Sequence, residues 1–293
     1  MSVFDSQVQT YMSAPALSVG ANERVSEAYR LLRERRISSL AVTDGEGRPV
    51  GIITRSDLLR VGHMASRQTD RPALLSLPDV PVSAVMSAGL VWAAPEETLL
   101  DAARRMVERR VHRLYVIKNE RLQGVLSTQD LARALVVSRS RTPAARYMSS
   151  PVRTIDALEP LSAAVARLAE DRVTGLIVVE GGKPVGLFSQ LEALQARDEP
   201  PDTPVGDVMG YSLACLAADT PLGRVAGSVV DTRVRRVLLV EEGRMAGILT
   251  GLDFARALIG EAESVSPQVG GGSSQDGSDA RGQAGKQDGG GSQ

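Results

Sequence analysis

At four places in the chain a hydroxyl residue is followed three positions later by a carboxylate: Thr54 with Asp57, Ser127 with Asp130, Ser189 with Glu192, and Thr250 with Asp253. A carboxylate accepts two charge-strengthened hydrogen bonds from a vicinal diol, so such a set could hold a ligand. The same spacing also makes a helix capping box, which needs no ligand at all. The two roles are compatible, because the hydroxyl can cap while the carboxylate turns outward. Glu192 leans toward capping, since its extra methylene displaces the carboxylate and Glu is a natural capping-box residue. An anion requires basic side chains or a helix N-terminus, and His112-Arg113 and Arg235-Arg236 supply the former. No nucleophile–base constellation, phosphate-binding Walker loop, Gly-x-Ser-x-Gly elbow or DNA-binding helix pair occurs, so the chain reads as a non-enzyme. His63 lacks an acidic or cysteine partner at ligand spacing and reads as a surface residue. Cys215, inside an apolar run, reads as a buried structural cysteine, and the single Trp92 as a core residue.

These residues are positioned by a fourfold internal repeat. Met12, Met86, Met148 and Met209 set its register. Thirteen residues after each Met stand Val25, Leu99, Leu161 and Leu222. Sixteen after come Ala28, Ala102, Ala164 and Val225, and twenty after, Leu32, Met106, Leu168 and Val229. The i, i+3, i+7 stripe is the buried face of one helix repeated four times. Pro160 and Pro221 sit just before it, where a first helical turn tolerates proline. Twenty-five residues after each Met, β-type runs open at Ile37, Val111, Val173 and Val234. A glycine follows in each unit (Gly51, Gly124, Gly186, Gly247), then a short apolar strand, the hydroxyl residue and a second helix. At the start of the second strand the residues alternate between small and basic: Ser38-Ser39, His112-Arg113, Thr174-Gly175, Arg235-Arg236. The duplicated element is therefore a pair of units.

The spacing gives α/β units over 6–63, 81–138, 143–198 and 204–261, with a linker over 64–80. Within that linker the Ala73–Leu77 stretch is suited to cover a sheet edge or a hydrophobic face. From 266 to 293 the chain is almost free of apolar residues and is expected to be disordered. The 34 Lys+Arg and 35 Asp+Glu leave a net charge of −1, which argues against a general nucleic-acid binder. No run of 18 apolar residues offers membrane insertion, and the N-terminal sequence lacks a signal-peptide pattern. One cysteine and two histidines supply neither a disulfide nor a zinc site. The expectation is a cytoplasmic protein.

A unit of this length, with Met-Ser near its start and Gly-h-h-[Ser/Thr]-x-x-Asp near its end, resembles the CBS domain, and the third unit departs from that pattern with Glu192. The end motif runs Gly51–Asp57, Gly124–Asp130, Gly186–Glu192 and Gly247–Asp253. The four-unit layout resembles that of the gamma regulatory subunits of AMP-activated kinases. The resemblance implies units paired one with two and three with four into pseudo-twofold Bateman modules, closing a disk in a monomer or a weak homodimer. It further implies AMP, ADP or ATP in the inter-unit clefts, with NAD or S-adenosylmethionine as related ligands and no obligatory cofactor. The Asp would take the ribose and the hydroxyl residue the ribose or phosphate, while the start of the partner's second strand would approach the phosphate. Thr54 and Asp57 would then face His112 and Arg113, and Ser127 and Asp130 would face Ser38 and Ser39. In the second pair, Ser189 and Glu192 would face Arg235 and Arg236, and Thr250 and Asp253 would face Thr174 and Gly175. Only the first cleft unites Thr, Asp, His and Arg. The implied function is a regulatory sensor acting on an unidentified partner protein; the alternative is an interaction protein without a nucleotide.

Overall fold

The computed structural model describes residues 2–66 and 73–265. The expected disorder from 266 onward and the surface reading of the His63 side chain lie outside what is described.

The first unit contains α1 (Val8–Tyr11), β1 (Ser18–Gly20), α2 (Val25–Glu34), β2 (Ser39–Thr43), β3 (Pro49–Thr54) and α3 (Arg55–Ser66). The second contains β4 (Ser87–Ala88), β5 (Trp92–Ala93), α4 (Leu99–Glu108), β6 (Arg113–Lys118), β7 (Arg121–Ser127) and α5 (Thr128–Ser138). The third comprises β8 (Thr154–Asp156), α6 (Leu161–Glu170), β9 (Gly175–Glu180), β10 (Lys183–Ser189) and α7 (Gln190–Gln195). The fourth comprises β11 (Ala214–Ala217), α8 (Leu222–Thr232), β12 (Val237–Glu241), β13 (Arg244–Leu249) and α9 (Gly251–Val265). In every unit one helix (α2, α4, α6 or α8) returns the chain so that the strands flanking it run parallel, and a hairpin then adds the antiparallel third strand. All twelve stripe positions, from Val25 to Val229, are buried. Pro160 and Pro221 differ in detail from expectation: both occupy the N-cap with extended backbone instead of the first helical turn.

The Met and Gly of the repeat meet across units. A Cβ on Gly51 would lie 2.7 Å from the Ser87 carbonyl oxygen and 2.8 Å from the Met86 sulfur; Gly124 stands in the same relation to Ser13 and Met12. Gly186 abuts Met209, and Gly247 abuts Met148. Each unit thus lays its Met over the bare strand of its partner, which pairs one with two and three with four as Bateman modules. Backbone bridges at Ser13–Val125, Ser149–Ile248 and Leu187–Gly210 repeat this exchange, and β4 joins β3 in the same way. Gly124→Ala should therefore cost roughly 1–3 kcal/mol of stability, read by chemical denaturation, because the backbone carbonyl it meets cannot swing aside.

The modules join through their helices. The helices of units two and four share one core around Met106, Leu135, Val229 and Phe254, and units one and three share another around Leu32, Leu58, Leu168 and Phe188. Leu74 and Leu75 of the linker are buried in the second of these cores, with their N–H groups donating to the carbonyls of Glu199 and Arg197. The linker thus seals the helical junction of units one and three. Trp92 and Cys215 overturn the readings as core and buried structural residues: Trp92 is 50 % exposed and Cys215 is also exposed. Both lie on short first strands where alternate residues face outward, so the Ala93 neighbouring Trp92 is the one that enters the core. No helix among the described residues is long and apolar enough to cross a membrane.

Candidate functional site

The four hydroxyl–carboxylate pairs all form capping contacts. The backbone N–H of Thr54, Ser127, Ser189 and Thr250 donates to Asp57, Asp130, Glu192 and Asp253 respectively, and each hydroxyl donates to the same carboxylate oxygen. The other oxygens differ. That of Asp130 accepts from Arg133 at 2.6 Å, and that of Asp253 accepts from Arg256 at 2.7 Å and Ser149 at 2.9 Å. At Asp57 the corresponding contacts, to Arg60 and Ser87, are both 3.3 Å. Among the three aspartates Asp57 is therefore the most loosely held and the one most readily offered to another donor, while the second oxygen of Glu192 accepts no hydrogen bond among the described residues.

Where the four units meet they line an open cavity of about 680 Å³. Nine of the twelve residues singled out from sequence line it: Thr54, Ser38, Ser39, His112, Arg113, Ser127, Thr250, Arg235 and Arg236. Asp57, Asp130 and Asp253 are buried behind its wall. The small-and-basic alternation of the second strands is a fit of size. Arg113 donates to the Ser38 hydroxyl and Arg236 to that of Thr174, while a Cβ on Gly175 would lie 2.7 Å from the Arg236 guanidinium carbon. Tyr115 and Ser39 also share a hydroxyl hydrogen bond of 2.9 Å. Arg235 departs from the expected pairing within its own module, because it donates to the Arg36 carbonyl oxygen of unit one at 3.1 Å.

Three further arginines, Arg55, Arg110 and Arg172, complete the lining, which contains no Asp or Glu among the described residues. Arg110 and Arg172 stand twenty-four residues after Met86 and Met148; the equivalent residues of the other units are Arg36 and Arg233, and all four have left-handed backbone, with φ between 51 and 57°. An arginine at that offset in every unit is the sequence signal that had been passed over.

The electrostatics are those of cations crowded together. Burial first, and then the charges of Arg235, Arg113 and Arg236, lower the Arg55 pKa to about 10, with Glu192 opposing. Burial also brings Arg236 to about 10 and lowers Arg113 and Arg235. Arg235 nonetheless keeps part of its surface exposed. His112, half-buried beside Arg113, Arg236 and Arg235, falls to about 4 and is neutral at pH 7. It stands against the start of α9, where a Cβ on Gly251 would come 3.0 Å from its Nδ1. The first turns of α3, α5 and α9 also line the cavity, adding the positive ends of their dipoles. The arrangement can hold an anion. No cluster of three or more His, Cys, Asp or Glu suited to a metal occurs among the described residues.

Four stretches of the chain, residues 8–63, 82–137, 144–199 and 205–260, match the CBS domain family. An uncharacterized 33.4 kDa protein from the ribosomal RNA operon of Thermofilum pendens is 29 % identical over 181 residues, which cover 57 % of each chain. The 5'-AMP-activated protein kinase subunit gamma-3 of Sus scrofa is 32 % identical over 107 residues, covering 36 % of this chain and 20 % of that one. The matches thus span little more than half of the first relative and a fifth of the second. Among solved structures, a Methanocaldococcus jannaschii protein proposed as an archaeal homologue of the kinase gamma subunit superposes with a TM-score of 0.76. It is 18 % identical in sequence, and the superposition covers 86 % of this chain and 99 % of that one.

Proposed function

This chain belongs to the CBS domain family, and we propose that it is a non-catalytic sensor that binds an adenosine-containing nucleotide of the AMP, ADP or ATP class. The observation that carries the proposal is the cavity shared by four units, with six arginines and no carboxylate in its described lining. Like charges crowded together are costly where burial adds to their repulsion, as at Arg55, and an anion arriving from solution relieves that cost. The nucleoside belongs in the first cleft, between Ile52-Thr54 of one unit and Ser87–Val91 of the other. Asp57 reads the ribose by exchanging its long contacts to Arg60 and Ser87 for the two hydroxyls, and Arg113 takes phosphate. An occupant that touches both modules binds best in one arrangement of them, and a partner protein in the cytoplasm, still to be identified, reads that arrangement.

A second reading, an interaction protein with no nucleotide, is favoured by one observation: all four carboxylates are already satisfied as caps. Native mass spectrometry of the purified protein, followed by thermal shift with AMP, ADP, ATP, NAD and S-adenosylmethionine, separates the two. A co-purified or stabilising adenine nucleotide is expected; none from the whole set would favour the second reading. Asp57→Ala should weaken binding by about 1.5–3 kcal/mol, roughly ten- to a hundredfold, whereas Glu192→Ala should change affinity little. Calorimetry on both variants checks the assignment, and the reverse order of effects would overturn it.

A further inference from the structure

The six cavity arginines are divided evenly between the modules. Arg55, Arg110 and Arg113 come from the first, and Arg172, Arg235 and Arg236 from the second. None of them makes an ion pair among the described residues, whereas arginines on outer faces, such as Arg30, Arg105 and Arg167, do. Arg110 and Arg172 hold left-handed backbone, with φ of 52 and 53°, at positions where glycine would be unstrained. Arg36 and Arg233 hold the same backbone outside the cavity, so it marks a helix end; the six guanidinium groups facing one cavity without an ion pair among the described residues are what point to a highly charged occupant.

The nucleoside slots are not equivalent. Ser87, Ala88, Gly89 and Val91, which follow Met86, line the cavity, but the residues that follow the other three methionines do not. Behind the wall of the same cleft lies Asp57, whose outer contacts are the longest of the three aspartates. One slot opens onto charges drawn from both modules. Resting on the nucleotide reading above, we infer that the chain binds one nucleotide bearing three or more phosphates, whose phosphate chain runs from the slot of the first module to the arginines of the second. A monophosphate seated in the first cleft would leave Arg172 and Arg235 unanswered. A triphosphate engages both halves and holds the modules together, and this gives the sensor its selectivity among nucleotides.

The test is isothermal calorimetry on the full chain with adenosine, AMP, ADP, ATP and inorganic tripolyphosphate, repeated on Arg172→Gln and Arg235→Gln. Affinity should rise about tenfold with each added phosphate, as charge-assisted hydrogen bonds accumulate, and ATP should bind at one per chain. Either variant should lose about tenfold toward ATP and less than about twofold toward AMP, so that AMP serves as the internal measure of folding. If AMP bound as tightly as ATP, or several nucleotides bound per chain, this inference would fall while the nucleotide reading stood. Tripolyphosphate binding as tightly as ATP would uphold the phosphate path and overturn the nucleoside slot. Binding of none of the five would overturn both.

Discussion

Arg55→Met should make the empty protein more stable and, at the same time, a much weaker nucleotide binder. A guanidinium lowered from its ordinary value to about 10 is kept charged at neutral pH at a cost of about 3 kcal/mol. Cavity water screens part of this, and replacing a buried charge with an apolar residue of similar length gains about 1–3 kcal/mol. Because the folded-state pKa is depressed, the penalty is full at pH 7 and lifts only as the pH rises past about 10. Binding should respond in the opposite sense. Arg55 is almost fully buried and faces the cavity beside Arg113 and Arg235, so an anion there loses a partner in low dielectric, at about 2–5 kcal/mol. Urea denaturation of the free protein and calorimetry with ATP measure the two effects separately. A loss of stability in the free variant would mean that the cavity charges are already compensated, and the argument for an anionic occupant would lose its basis.

The fold was legible because its repeat is written in residue types that physics restricts. The helix stripe from Val25 to Val229 appears in sequence as a spacing and in the structure as buried side chains. The Met and Gly at fixed offsets were also visible, but not that each Met lies on the Gly of the partner unit, since that contact crosses between units and leaves no local pattern. Trp92 and Cys215 were misplaced because an edge strand only two to four residues long exposes alternate side chains whatever their polarity.

The site was legible in pieces. The alternation of Ser38-Ser39 with His112-Arg113 gave the pairing, and packing explains it: the small residues leave room for the arginine of the partner. What escaped was everything that depends on how the two modules meet. Arg235 was assigned to a cleft in its own module and instead reaches the carbonyl of Arg36. Arg55 appears in one unit only, so no repeat pointed to it. Arg110 and Arg172 belong to none of the motifs, although the Arg at the same offset in all four units was there to be read.

Acid should weaken the empty protein through His112, and nucleotide should reverse the sign. In the free protein this imidazole is half-buried, with Arg113 next to it in the chain, Arg235 and Arg236 from unit four, and Asp253 opposing them. Its pKa of about 4 lies below the usual 6.5, so the unfolded chain binds the proton first. Stability is therefore complete above about pH 7.5 and is lost as the pH falls from 6.5 toward 4, by about 3 kcal/mol in total. His112→Gln should remove that part of the slope, leaving the part due to carboxylates, and denaturation of both proteins at pH 7.5 and 4.5 measures the difference. A polyphosphate beside His112 supplies the counter-charge that the cavity lacks and raises the imidazole pKa. Binding should then take up a fraction of a proton near pH 6 and tighten as the pH falls from 7.5 to 5.5. Calorimetry in buffers of different ionisation enthalpy reads the uptake directly. ATP carries a titrating phosphate of its own, so the decisive quantity is wild type minus His112→Gln. If that difference is zero, His112 is not among the groups that meet the phosphate.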